Sequence, residues 1–276
     1  MPITACFGMP VAENPTQVMM ETAYAKLGLD WRYITLEVAP PDLGAAILGA
    51  RAMRFRGFNC TIPHKVTVID HLDGLGESAR MMRAVNCVVR RGDRLIGENT
   101  DGKGFVRAVE HRRDPKGAHV VIVGAGGAAR AIAVELGLAG IRRLTIVNRS
   151  AARGRQLVAL LDDQVPQLAT ELIVLDASWS VPSDADMLIN ATSVGLFPDV
   201  DARLPLDLTN LASSALVADV VFNPPVTTLL REARSYGCET IDGLEMLVGQ
   251  GVIGVEYWTG QTPDALAMRE ALEAVL

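Results

Sequence analysis

A glycine-rich turn, Gly124-Ala125-Gly126-Gly127-Ala128-Ala129, follows directly on the apolar run His119-Val120-Val121-Ile122-Val123. Glycines placed between a short buried strand and a helix read as the first turn of a βαβ unit that cradles a dinucleotide. Gly124 makes the tight turn. Gly126 lets backbone N–H groups approach a pyrophosphate at a helix N-terminus. Ala129 stands where a third glycine is common, small enough for close helix–strand packing. The turn lies near the middle of 276 residues, so a separate unit precedes the nucleotide-binding one.

The length suits two domains, and an apolar content of 49% is enough to bury both. A net charge of −6 argues against nucleic acid as a partner, because phosphate backbones need a basic face. No apolar run is long enough to span a membrane. With no basic stretch followed by an apolar one after Met1, a secretion signal is not expected. Cys6, Cys60, Cys87 and Cys238 lie far apart and make no metal spacing with the four histidines. Buried reduced thiols in a cytoplasmic protein are expected, and no metal.

Before the glycine turn, the pattern predicts strands at Ile3–Phe7, Trp31–Val38 and Phe55–Ile62 and a hairpin of Asn86–Val89 with Leu95–Glu98. Asn14 as N-cap and Pro15 at the first helical position predict a helix ending at Gly28. A short helix is expected after Pro63-His64-Lys65. From His119 onward, short apolar strands at Arg143–Asn148, Glu171–Leu175, Met187–Ala191, Leu216–Phe222 and Cys238–Ile241 indicate an α/β fold with a parallel sheet covered on both faces. Helices are expected over Gly243–Gly260 and Asp264–Leu276.

Several residues can carry chemistry. A dinucleotide site that prefers NAD has Asp or Glu at the end of its second strand. This chain has Asn148-Arg149-Ser150 there, with Arg153 one turn on. Two guanidiniums and a hydroxyl suit a 2′-phosphate, so NADP is expected, although arginine at a solvated helix start is also ordinary. Of the 26 basic residues only Lys26, Lys65, Lys103 and Lys116 are lysines. Lys65 ends a buried strand, where open α/β sheets place ligands, and a helix start is a poor place for a merely solvated cation. Asp101, in Asn99-Thr100-Asp101-Gly102, reads alone as a turn or cap, and with Lys65 as half of a proton-handling pair. Thr61, Asn86 and Gln250 are neutral polar residues in apolar settings, suited to hydroxyl groups or to local backbone.

Phe7-Gly8-Met9-Pro10-Val11, Asn59-x-Thr61-x-Pro63-His64-Lys65, Ala84-Val85-Asn86, Asn99-Thr100-Asp101-Gly102-x-Gly104 and the glycine turn stand in order along the chain. Asn190-Ala191-Thr192-Ser193, Asn223-Pro224, Asp242-Gly243-Leu244-x-Met246-Leu247 and Trp258-Thr259-Gly260 follow. Together they resemble the shikimate dehydrogenase family over nearly the whole chain. The resemblance implies a substrate domain of residues 1–102 plus 243–276 and a Rossmann NADP domain of residues 103–242. It implies that Lys65 and Asp101 are catalytic, and that Asn14, Thr16, Thr61, Asn86, Phe222 and Gln250 face the substrate. Gly124, Gly126, Gly127, Ala128, Asn148, Arg149, Ser150, Arg153, Thr192, Val220, Gly243 and Met246 would hold NADP.

The chain departs from the family at the carboxylate end of the substrate. The family's Ser-x-Ser-Pro and its Tyr before Asn-Pro are replaced by Asn14-Pro15-Thr16-Gln17 and Phe222, with Glu13 adjacent, and Glu245 stands where the family has glycine. The expected reaction is NADP-dependent interconversion of shikimate and 3-dehydroshikimate by a cytoplasmic monomer or homodimer. The alternatives are a paralogue acting on quinate, aminoshikimate or another cyclic polyol, a methylene-tetrahydrofolate-type dehydrogenase, and a non-catalytic NADP-binding regulatory module.

Overall fold

A computed structural model describes residues 1–12 and 14–276, so Glu13 lies outside the described residues. The chain forms two compact units, Met1–Gly104 with Val248–Leu276, and Phe105–Leu247.

The first unit holds β1 (Ile3–Gly8), α1 (Thr16–Lys26), β2 (Arg32–Glu37), α2 (Leu43–Ala52), β3 (Gly57–Cys60), β4 (Gly74–Leu75), α3 (Glu77–Met82), β5 (Cys87–Arg91) and β6 (Arg94–Glu98). Its sheet runs β2-β1-β3-β5-β6-β4. The first three strands are parallel, and β5 pairs antiparallel with both β3 and β6. Phe7 and Phe58 stack in its core, with ring centroids 4.7 Å apart, among fully buried Ala5, Val68 and Val88. The boundaries between the units fall within α4 (Asp101–Glu110) and α8 (Gly243–Thr259). The last turns of α8 close the first unit: Trp258 Nε1 donates to the Val88 carbonyl at 3.0 Å, across Gly57, where any β-carbon would collide with the indole. The last helix, α9 (Ala265–Glu273), starts at the Asp264 cap and packs on α1.

The second unit follows α4 with β7 (His119–Val123), α5 (Gly127–Leu138), β8 (Arg143–Asn148), α6 (Ala151–Gln164) and β9 (Ala169–Val174). Then come β10 (Trp179–Ser180), β11 (Met187–Asn190), β12 (Leu206–Asp207), β13 (Leu216–Asp219), α7 (Thr228–Ser235) and β14 (Glu239–Ile241). The sheet order β14-β13-β11-β7-β8-β9 is all parallel, and β10 pairs with β12 apart from it. In order of entry this is 3-2-1-4-5-6, the doubly wound dinucleotide-binding topology. Every residue of β7, β11 and β13 is buried, as a parallel strand covered on both faces requires. Fully buried side chains such as Ile122 each contribute about 1.5–3 kcal/mol.

Several predicted bounds shift by a residue or two, among them the strand expected over Phe55–Ile62, which spans Gly57–Cys60, and three differences have a visible cause. Helix α1 starts at Thr16 rather than directly after Asn14, because the Asn14 side chain accepts the Thr16 N–H at 2.9 Å and closes a turn first. The segment after Lys65 is a single 3₁₀ stretch, Thr67–His71. Strand β13 stops at Asp219 instead of reaching Phe222, because the Asp219 carboxylate takes the Val221 N–H that a further ladder rung would use.

Candidate active site

In the first unit, the polar residues gather where β1, β3 and β6 end. Lys65 follows the end of β3, its carbonyl held by the Val85 N–H at 2.7 Å. Its Nζ lies 2.7 Å from Asp101 Oδ2, and both side chains keep some exposure, 36% and 19%. Asp101 opens α4, where a carboxylate is favoured by the helix N-terminus. Its other oxygen accepts from Asn86 Nδ2 at 2.7 Å. Asn86 is buried and fixed at both ends of its amide: Nδ2 also reaches Thr100 Oγ1 at 3.0 Å, and Oδ1 accepts the Thr100 N–H at 2.7 Å. Gln250 joins through Thr100 Oγ1 at 3.5 Å. That approach depends on Gly104, since a β-carbon there would run into the Gln250 backbone.

Behind this cluster stands a relay that sequence reading did not assign. Tyr33 Oη donates to Asn59 Oδ1 at 2.7 Å, and Asn59 Nδ2 donates to the Asn86 carbonyl at 3.0 Å. Thus Asn86, which orients Asp101, is itself oriented from the core. Tyr33 lies on β2, and only the sheet register brings it to Asn59. Cys6 connects the cluster to the start of α1: Asn14 Nδ2 lies 4.0 Å from its sulfur, and the Lys65 charge acts on its thiol. Burial nonetheless pushes that thiol up to about 11, so Cys6 stays a neutral packing group. Thr16 is buried, and Thr61 is half-buried with its methyl against Gly8. His64, next to Lys65, points into the core with Nε2 at 2.7 Å from the Val38 carbonyl. No metal-holding group of His, Cys, Asp or Glu exists among the described residues.

In the second unit, Gly124 has φ +116°, and a β-carbon on it would stand 2.8 Å from the Ala191 carbonyl oxygen. Gly126 caps α5 in an extended conformation. Where β-carbons would stand on Gly126 and Gly127 there is nothing within 4 Å. Those glycines therefore leave an open cradle at a helix N-terminus, which fits a pyrophosphate. At the end of β8, Asn148 Nδ2 folds onto the Ser150 carbonyl at 2.8 Å, and Ser150 Oγ accepts the Arg153 N–H that starts α6. Arg149 and Arg153 are exposed, with no carboxylate partner among the described residues. This fits a 2′-phosphate.

Thr192 turns its hydroxyl inward to Asn190 Oδ1 at 2.7 Å, so its methyl is what remains to meet a ligand. Gly243 is buried against Val221 and Phe222, with no room for a β-carbon. Val220, Phe222 and Met246 are half-buried. Glu245 pairs with Arg112 at 2.8 Å, which accounts for a carboxylate at that position.

Asp219 is 1% exposed, and burial pushes its carboxyl up to about 6 against three hydrogen bonds that pull it down. A carboxyl raised in the folded state favours the protonated form. Its contribution to stability is complete below the ordinary value near 3.8 and is lost as pH rises through about 6. The loss is on the order of 2–3 kcal/mol. Asp219→Asn keeps the shape without the charge. It is expected to raise Tm at pH 8, with the gain shrinking toward pH 5; a lowered Tm at pH 8 contradicts this.

A family model described as shikimate dehydrogenase substrate binding domain matches residues 6–88. Models of shikimate / quinate 5-dehydrogenase and of the shikimate 5′-dehydrogenase C-terminal domain match residues 107–245 and 243–273. The shikimate dehydrogenase (NADP(+)) of Symbiobacterium thermophilum is 40% identical over 99% of this chain and 94% of its own length. The ligand-free crystal structure of 5-ketofructose reductase of Gluconobacter sp. strain CHM43 is 49% identical, with a TM-score of 0.97, covering 100% of this chain and 99% of that one. A shikimate 5-dehydrogenase of Thermus thermophilus, solved with NADP(H) and shikimate, is 33% identical with a TM-score of 0.86 over 100% of both chains.

Proposed function

The chain belongs to the shikimate dehydrogenase family, and on that premise we propose that it interconverts shikimate and 3-dehydroshikimate as an NADP-dependent oxidoreductase. The observation that carries the reading is the 2.7 Å contact of Lys65 with Asp101, held in turn by Asn86. The first unit is the substrate-binding one and the second the cofactor-binding one. Bound NADP would provide the hydride donor or acceptor for this chemistry. Lys65 Nζ gives a proton to the oxygen that becomes the alcohol, and takes it back in the reverse direction. Asp101 holds the ammonium in place, and Asn86 fixes the carboxylate. Thr61 and Gln250, with Asn86, hold the substrate hydroxyls. Asn14 and Thr16 shape the far end of the substrate. The glycine turn, with Ala128, receives the pyrophosphate, and Asn148, Arg149, Ser150 and Arg153 receive the 2′-phosphate. Thr192, Val220, Gly243 and Met246 form the nicotinamide side. We place the enzyme in the cytoplasm as a monomer or homodimer, a setting that its four free, buried cysteines suit.

The 2′-phosphate assignment is tested by Arg149→Ala combined with Arg153→Ala. The KM for NADPH should rise about 10-fold to 100-fold and that for NADH stay unchanged, consistent with the loss of charge-assisted hydrogen bonds at an exposed site. Equal changes for both cofactors contradict the assignment.

A second reading is favoured by one observation, the 49% identity with a 5-ketofructose reductase beside 33% with the shikimate-bound Thermus enzyme. The site chemistry supports it. Lys65 is compensated by Asp101, and Asn14 and Thr16 offer neutral groups, so among the described residues of that cluster none supplies a counter-charge to a carboxylate. A neutral polyhydroxy ketone needs none. The deciding measurement is kcat/KM for NADPH oxidation with 3-dehydroshikimate and with 5-ketofructose, side by side. A preference of about 10-fold or more for the first supports shikimate chemistry, and the reverse supports keto-sugar reduction.

A further inference from the structure

The loops that follow β11 and β13 are tied together by one buried carboxylate that proton transfer at Lys65 does not use. Asp219 Oδ1 accepts from Asn190 Nδ2 at 2.9 Å and from the Val221 N–H at 3.0 Å, while Oδ2 accepts the Thr227 hydroxyl at 2.7 Å. All its partners are neutral. Burial disfavours the charge, and apolar side chains at the two strand ends would join them at less cost to stability. What the carboxylate provides instead is a defined path for two loops. Asn190, held by Asp219, accepts the Thr192 N–H at 3.0 Å and its hydroxyl at 2.7 Å. The Val220 N–H reaches the Asn190 carbonyl at 3.0 Å, and Val221 turns its own N–H onto the carboxylate, which ends the strand. In the sheet, β11 and β13 lie on the side of β7 away from β8, which carries Arg149 and Arg153 at its end. A dinucleotide laid across the glycine turn therefore puts its nicotinamide half over the ends of β11 and β13.

We propose that Asp219 is a positioning residue for the nicotinamide half of the cofactor, holding Thr192 and Val220 where that half docks. The assignment rests on the NADP reading above. An asparagine can serve in its place, because Oδ1 keeps its two donors and the new Nδ2 can donate to the Thr227 oxygen.

The test is equilibrium binding of NADP⁺ and of adenosine 2′,5′-bisphosphate, which carries only the adenosine and 2′-phosphate end. Asp219→Ala should weaken NADP⁺ about 10-fold or more and leave the bisphosphate within about 2-fold, and Asp219→Asn should restore NADP⁺ to within about 3-fold. If Asp219→Ala does not fold, Asn190→Ala removes the same tie from the neighbouring strand and should give the same split. Equal weakening of both ligands, or no weakening of NADP⁺, overturns the assignment. Failure of the unsubstituted protein to bind either ligand overturns the NADP reading, and the assignment with it.

Discussion

Lys65→Ala is expected to lower kcat/KM for NADPH oxidation by about 10²–10⁴-fold while NADPH binding is unchanged, the range for removal of a positioned acid–base group. Lys65 is the lysine of its cluster and sits 2.7 Å from Asp101. The fold should survive the loss. Asp101 keeps Asn86 as donor, its place at the start of α4 and access to water. Lys65→Arg should not rescue turnover, because a guanidinium holds its proton at any working pH. Steady-state rates with 3-dehydroshikimate and 5-ketofructose, together with a binding titration of NADPH, check the result. Unchanged turnover with either ketone in a folded variant refutes the role of Lys65 in that reaction. The comparison also separates an enzyme from a regulatory module, which would bind NADPH and turn over neither.

Gly124→Ala and Gly126→Ala should both abolish useful cofactor binding, for opposite reasons. At Gly124 a side chain meets φ +116° and, at 2.8 Å, the Ala191 carbonyl oxygen. Backbone strain of this kind costs about 1–3 kcal/mol before the collision is counted, so Tm should fall and NADPH affinity drop about 100-fold or more. At Gly126 nothing stands within 4 Å of the added carbon, so Tm should hold. The methyl there occupies the space the pyrophosphate needs, so affinity still falls. A Gly126→Ala protein that binds NADPH normally would falsify the cradle. Thermal unfolding and NADPH titration of both variants read the contrast directly.

These two predictions rest on residues that were visible in the sequence, and the reason is local. A glycine turn, a strand and a helix start are neighbours along the chain, so their relation survives without knowledge of the fold. The NADP expectation from Asn148, Arg149 and Arg153 has the same character. Other parts of the site were hidden. Asn59 was noticed only as part of a motif, because its partner Tyr33 lies 26 residues away and meets it through the pairing of β1 with β2 and β3. Glu245 is a departure from the family whose partner, Arg112, lies 133 residues earlier and meets it only in the folded chain. The strand at Leu216 read as running to Phe222, because periodicity reports burial and not which hydrogen bonds a side chain takes from the ladder.

The sequence by itself determined the α/β class and the cofactor type, set the glycine turn between a strand and a helix, and singled out Lys65 and Asp101 as candidates. Each is encoded in short-range spacing or in a residue type that burial alone does not explain. Only the tertiary structure decided that Asp101 is held by Asn86 and Asn86 by the core, and that Asp219 joins two strand ends. In the sequence Asp219 falls inside the apolar stretch Leu216–Phe222, with nothing to mark it as a junction. Its raised pKa and its three partners exist because β11, β13 and the start of α7 converge on one buried point, and convergence of distant segments is a property of the packed sheet.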